Sequence, residues 1–370
     1  MDEGVVMPHR PLRIRSVTTR GVKVPLTFLL GTSAAVVRDV PLLLVDLDMQ
    51  EGVRGRCYLF AYTPSGARAI AGHIAEAVAL VQDLPAAPHD IARLLARRYA
   101  LLGVTGTVRA ALSAIDMAAW DALACSLDLP LVRLLGAEPR PVPAYDSRGL
   151  GLMPPDALAD EALRLLDSGL SALKIRLGYP TLAEDLTAVR AVRRVVPDGI
   201  ALMVDYNQAL QPDEALHRGR ALDGEGLAWL EEPIRHDDWR GNAAIARALS
   251  LPLQIGENFN GPEAMMTALA ADACDHVMPD VMRIGGVTGW IQASALAAAR
   301  GMPISSHLMP EMSVHLLAAS PTMHRLEYVD WADRVLAEPL RLAKGAAECP
   351  DRPGFGIVWD EDRVRRLETL

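Results

Sequence analysis

From residue 142 onward the chain repeats one short phrase, an apolar run of a few residues that ends in polar side chains. "PVPAYDS", "ALKIR", "ALMVDYN", "LAWLEEP", "LQIGEN", "HVMPD", "MPISSH" and "RLEYVD" are its eight occurrences. Stretches with helical spacing, such as "LAEDLTAVRAVRRVV" and "GWIQASALAAARG", lie between them. The repeat is roughly 20 to 30 residues, the length of one βα unit, and predicts a (β/α)8 barrel within an α/β fold. The last unit is the least regular, because no clean helix follows "RLEYVD".

The residues before the repeat have another style. "IRSVTTRGVKVPL" and "DVPLLLVDLDM" alternate as antiparallel strands do, and Ala-rich helical sequence follows from about 66 to 128. This opening is α+β. Within it "GTVRAALSAIDMAAWDALACSL" reads as a buried helix whose Asp116 and Asp121 need partners. After the barrel, "PDRPGFGIVWD" reads as a strand that rejoins the N-terminal part. The expected division is an α+β domain over 1–135, a barrel over 136–335 and a returning segment over 336–370.

Composition narrows the partner. A chain of 370 residues, 51% hydrophobic, supports two domains. With a formal net charge of −9 and no dense basic cluster it is unsuited to nucleic acid, so the expected partner is a small molecule. Cys57, Cys125, Cys274 and Cys349 lie far apart with no C-x-x-C spacing, as reduced thiols do, which suits the cytoplasm. "MDEGVVMPHR" lacks the basic and apolar regions of a signal peptide, and no later run is long enough to span a bilayer.

Barrel chemistry gathers at the C-terminal ends of the strands. Here those ends carry Lys174, Arg176, Asp205, Asn207, Glu231, Glu257, Asp280, His307 and Glu327. Asp205, Glu231 and Glu257 end three consecutive strands, and three converging carboxylates repel one another unless a cation lies between them. All-oxygen ligation favours Mg2+, or Mn2+, and the alternative is a salt-bridge ring with Arg or Lys. Asp280 and His307 end neighbouring strands, where a carboxylate on one imidazole nitrogen raises the basicity of the other. Lys174 and Arg176, two apart in a strand, face the same way and call for an anion. Together these parts suit removal of a proton next to a substrate carboxylate, with His307 moving the proton. "GGVTGW" is read as a βα loop. His307, Glu311 and His315 are set aside as a zinc site, because H-E-x-x-H is missing and Pro310 interrupts the local helix.

In this order "YLFAYTP", "IDMAAWDAL", "AYDS", "LGYPTLAEDL", "MVDYNQ", "WLEEP", "GEN", "MPDVMRIGGVTGW", "SSHL" and "LEYVD" resemble the mandelate racemase subgroup of the enolase superfamily over nearly the whole chain. The resemblance implies a modified barrel, an N-terminal capping domain completed by the C-terminal tail, an essential Mg2+ and a symmetric homo-oligomer. It matches Asp205, Glu231 and Glu257 to the metal ligands and His307 with Asp280 to a base dyad. Glu327 matches an acid that bonds a substrate carboxylate oxygen, and Lys174 the lysine that neutralises that carboxylate. Asn207 and Ser147 match polar positions around the substrate. Leu30 and Val37 of the cap loop, with Tyr62, match an apolar wall. Arg176 departs from the pattern, since the subgroup has there the second lysine of K-x-K, a base opposite the histidine. A guanidinium, with pKa above ~12, is a poor base. The resemblance places first a racemase or epimerase of an α-hydroxy acid. The alternative is an acid-sugar (aldonate or aldarate) dehydratase with His307 as single acid and base, and the third reading is a non-catalytic barrel protein.

Overall fold

The computed structural model describes residues 11–32 and 36–369. Residues 1–10 and 33–35 of the expected 1–135 domain and residue 370 of the expected 336–370 segment lie outside them. β1 (Ile14–Gly31), β2 (Val36–Met49) and β3 (Arg54–Phe60) form an antiparallel sheet in that order, as the alternation of the first two predicts. The Ala-rich stretch resolves into α1 (Pro64–Val81), α2 (Pro88–Arg98), α3 (Gly106–Ser126) and the short α4 (Leu131–Leu134). Small residues let α3 lie close on the sheet. A Cβ on Gly55 of β3 would stand 1.8 Å from the Ala118 carbonyl oxygen, so the crossing requires glycine there.

The barrel follows. β4 (Pro141–Asp146) leads to α5 (Pro155–Leu166), β5 (Ala172–Arg176) to α6 (Leu182–Val195), and β6 (Ala201–Asp205) to α7 (Pro212–Leu222). β7 (Leu230–Glu231), α8 (Trp239–Ala248), β8 (Leu253–Ile255), α9 (Pro262–Ala270) and β9 (His276–Val277) continue the alternation. Then come α10 (Val281–Ile284), α11 (Gly286–Ala299), α12 (Pro310–Ala318) and β10 (Leu326–Tyr328). β4 to β9 pair in parallel in sequence order, and β10 pairs in parallel with β4. The expected strand "MPISSH" is present only as isolated parallel bridges, Val277 with Ile304, Asp280 with His307 and Ile304 with Met323. Those bridges carry the ring from β9 round towards β10. Pro303 cannot donate, and the run is too short to form a longer ladder.

No helix follows β10 directly. β11 (Leu342–Ala343) and β12 (Ala346–Glu348) form a hairpin that pairs antiparallel with β4, and α13 (Glu361–Leu367) packs on β1. The stretch expected as a returning strand, 350–360, holds only the isolated bridges of Gly354 with Pro130 and Trp359 with Leu336. It reaches the cap through hydrogen bonds instead, Trp359 Nε1 to Asp46 at 3.0 Å and the Phe355 amide to Asp121 at 2.6 Å. Two prolines and two positive-φ glycines keep it from lying flat as a ladder.

Two further expectations change. "GGVTGW" is not a loop: Gly286 opens α11 at φ +72°. Its Cβ would lie 2.3 Å from Asp116 Oδ2, because α3 of the cap docks on this helix start. Asp116 accepts from the Thr288 amide at 2.9 Å and from its hydroxyl, which in turn accepts from Trp120 Nε1 at 3.0 Å. Asp121 accepts from the Arg56 amide at 2.7 Å as well as from Phe355, so both buried acids of α3 join separate parts of the molecule. Burial, against these hydrogen bonds, pushes each up to about 7. Likewise Pro310 does not interrupt a helix but starts α12, where a missing N–H costs nothing. On that helix Glu311 accepts from the Tyr58 hydroxyl of the cap. His315 contacts the Val132 amide and the Phe355 carbonyl, and burial lowers it to about 4.

The Gly286–Asp116 contact yields a test. Gly286→Ala is expected to cost about 2 kcal/mol or more through steric and φ strain. Asp116→Ala alone is expected to cost about 1–3 kcal/mol by leaving Thr288 unpaired, and thermal denaturation should show less-than-additive loss in the double variant.

Candidate active site

The strand ends converge as the barrel requires. Ligand oxygens of Asp205, Glu231 and Glu257 all lie within 4.8 Å of one another, with the first two buried. Lys174 from β5 is buried beside them, its Nζ 2.5 Å from Glu231 Oε1, 2.8 Å from Glu327 Oε1 and 3.3 Å from Asp205 Oδ2. Burial, partly offset by Lys174, pushes Glu231 up to about 8. Burial works against the Lys174 charge, but Glu231 and Glu327 overcome it and raise Lys174 well above its ordinary value. For Glu327 burial is outweighed by Lys174 and His307, so this acid is held well below the usual carboxylate range.

Neighbouring donors hold two of the three carboxylates. Trp229 Nε1 and Gln254 Nε2 donate to Glu231 Oε2 at 3.0 and 3.2 Å. The Asn207 amide and side-chain nitrogen donate to Asp205 at 2.7 and 3.0 Å, a geometry that puts Asn207 at φ +47°. Its Oδ1 is a buried acceptor with no hydrogen-bond partner among the described residues. The oxygen-only donor set, and the burial that with the neighbouring carboxylates makes Glu231 hard to ionise, both fit a divalent cation of the Mg2+ kind among Asp205, Glu231 and Glu257.

His307 faces this cluster from the seventh strand position. Its Nδ1 is 2.7 Å from Asp280 Oδ2, and Asp280 is itself held by the amides of Met282 at 2.7 Å and Arg283 at 3.2 Å. The other nitrogen, Nε2, is 3.4 Å from Glu257 and 4.0 Å from Glu327. Burial depresses the imidazole, but Glu257, the Asp280 hydrogen bond and Glu327 together raise it to about 9.

Arg176 stands apart from the carboxylates. Its Nη1 donates to the carbonyls of Ser147 at 2.9 Å and Gly149 at 2.7 Å, and its Nη2 donates to Ser147 Oγ at 2.8 Å. Ser147 Oγ donates onward to Glu327 at 2.7 Å. Leu30 and Val37 pair across β1 and β2, and this end of the cap meets the same β4–α5 loop where the Leu152 amide donates to Gly31 at 3.0 Å. Tyr62, half-exposed at φ +59°, joins from the cap through its hydroxyl, which receives a hydrogen bond from Arg283.

Sequence reading missed the link from Tyr62 inwards. Arg283 also donates to Asn258 Oδ1, and Asn258 Nδ2 donates to Glu232 at 3.0 and 2.9 Å and to Glu257 at 3.3 Å. Glu232 is fully buried, and burial raises it well above its ordinary value. Strand alternation turns it away from Glu231, but β7 ends at Glu231 and Glu232 has φ +35°. The doubled acid of "WLEEP" was the available signal.

The sequence pattern of the mandelate racemase / muconate lactonizing enzyme N-terminal domain matches residues 14–136, and that of the enolase C-terminal domain-like family matches 157–363. The chain belongs to the mandelate racemase/muconate lactonizing enzyme family. This member of the family is 31% identical over 338 residues to the L-talarate/galactarate dehydratase of Salmonella typhimurium, covering 90% of this chain and 83% of that one. A solved enolase from an alpha-proteobacterium, with bound Mg, superposes with TM-score 0.95 at 41% identity, covering 97% of this chain and all 100% of that one. A Bradyrhizobium enolase complexed with magnesium and mandelic acid superposes with TM-score 0.94 at 36% identity, covering 98% and 100%.

Glu231→Gln is expected to lower Mg2+ affinity at least as much as loss of an outer partner does, roughly 10–100-fold. Isothermal calorimetry measures this, and unchanged affinity would remove Glu231 from metal binding.

Proposed function

We propose that this chain is a Mg2+-dependent acid-sugar dehydratase that removes the α-proton of an α-hydroxy carboxylate with one base, His307. The observation that carries the choice is Arg176. By resemblance Arg176 takes the place of the second base, and its guanidinium, committed to two backbone carbonyls and a serine hydroxyl, is poorly suited to exchange a proton. By resemblance racemisation stood first. The placement of Arg176 reverses the order.

Bound among Asp205, Glu231 and Glu257, Mg2+ would supply positive charge opposite the substrate's carboxylate oxygens. Lys174 adds a second charge there, and Glu327 and Asn207 Oδ1 accept hydrogen bonds from the substrate's hydroxyls. Negative charge that develops on those oxygens as the proton leaves is thereby stabilised in a dry site. Glu257, if it held the cation, would pull less on His307, and Nε2 would take the α-proton while Asp280 holds Nδ1. The pair of electrons from the broken C–H bond forms the C=C bond as the β C–O bond breaks. The proton on Nε2 passes to the departing hydroxide as water, and the enol tautomerises to a 2-keto-3-deoxy acid. The galactarate dehydratase among the relatives supports an acid-sugar substrate.

Racemisation is the second reading, favoured by the relative that binds mandelic acid and by the apolar Leu30 and Val37 of the cap. Incubation with Mg2+ and a set of aldonates, aldarates and mandelates in heavy water separates the two. A 2-keto-3-deoxy product seen by NMR is expected, and deuterated substrate in both configurations would overturn dehydration in favour of racemisation. In the same assay His307→Asn is expected to lose roughly 10²–10⁴-fold in α-proton exchange, whereas undiminished exchange would remove His307 from the mechanism.

A further inference from the structure

Arg176 is only 5% exposed, yet among the described residues it pairs with no carboxylate. A buried guanidinium is costly, and its usual partner is an acid. Here it is spent on the β4–α5 loop. Besides the three side-chain bonds, its own amide donates to the Leu150 carbonyl at 2.9 Å, so one residue binds this loop at Ser147, Gly149 and Leu150.

The Ser147 hydroxyl decides what this does to the site. A hydroxyl has one proton. Because Oγ accepts from Arg176 Nη2 at 2.8 Å, its proton is directed to Glu327 Oε1 at 2.7 Å. Neighbouring positive charge polarises the hydroxyl and strengthens the bond it donates. Glu327 is thereby held at three points, by Ser147 Oγ, by Lys174 Nζ at 2.8 Å and by the Leu308 amide at 2.9 Å. Its Oε2 is 4.0 Å from His307 Nε2, so the aim of this carboxylate bears directly on the base.

We infer that Arg176 is a positioning residue: acting through Ser147, it fixes the Glu327 carboxylate between Lys174, the charge meant for the substrate, and the His307 base, and it takes no part in proton transfer. The inference rests on the site proposed above for an α-hydroxy carboxylate. It also says why lysine is no equivalent at 176. A lysine ammonium is a single point of charge and cannot present the planar fork that serves two carbonyls and a hydroxyl together.

A double-mutant cycle tests the relay. Affinity of the Mg2+-loaded enzyme for tartronate, a stable α-hydroxy diacid, is measured by calorimetry for wild type, Arg176→Met, Ser147→Ala and the double variant. Each single change is expected to weaken binding about tenfold, the order of one charge-assisted hydrogen bond, and the double variant no more than either single. Independent, multiplying losses overturn the relay. If Arg176→Met does not fold, Arg176→Lys takes its place in the cycle with the same expectation.

A second measurement needs no ligand and separates failure of the relay from failure of the functional reading. In a crystal structure of Arg176→Lys the Ser147 hydroxyl is expected to be turned from Glu327. A Ser147–Glu327 contact that is unmoved overturns the inference, whether or not any acid is bound or turned over.

Discussion

The structure is organised around the burial of like charges. Asp205, Glu231, Glu232, Glu257, Asp280 and Glu327 meet at one barrel mouth, where Lys174 and His307 are the cations in direct contact. Two unit charges 4 Å apart interact by about 4 kcal/mol even at an effective dielectric of ~20, so this surplus of acid is not tolerable without further compensation. Lys174 supplies part of it by touching three carboxylates at once. Burial, with the neighbouring carboxylates, nevertheless leaves Glu231 hard to ionise.

Such a site works only if water is kept out and its groups cannot relax away. The cap serves the second need by docking through polar joints rather than by apolar contact alone. Asp116 of α3 is seated on the start of α11 by Thr288, and only a glycine at 286 leaves room for it. Glu311 of α12 receives the Tyr58 hydroxyl of β3, and Asp121 receives the tail at Phe355. Asp116 and Asp121 are buried acids with both oxygens hydrogen-bonded, and Glu311 adds a bond through one of its oxygens, so together they fix the cap's position as well as its presence. The chain from Tyr62 through Arg283 and Asn258 to Glu257 runs from that cap to the carboxylate trio.

Arg176 connects the two themes. A cation two residues from Lys174 in one strand suggested a pair aimed at a common anion. The pair is split instead: Lys174 serves the carboxylates, whereas Arg176 serves the backbone of the loop on which the cap's β1 end rests. The two cations of one strand thus have separate tasks, one among the carboxylates and one on the loop.

Sequence by itself determined the barrel, because each strand must be apolar along its length and polar at its C-terminal end, and that pattern survives in one dimension. It also marked Asp205, Glu231, Glu257, Asp280, His307 and Lys174, whose residue types at successive strand ends admit few chemistries. It misjudged "GGVTGW" and 350–360, where glycine and proline answer contacts with α3 that are more than 160 residues away in sequence. Glu232 escaped notice because a positive φ just past a two-residue strand defeats alternation. Only the tertiary structure decided what Arg176 does. A guanidinium's partner is chosen by which acceptors the fold brings within hydrogen-bond reach, and here those are carbonyls of another strand's loop, which no spacing in the sequence records.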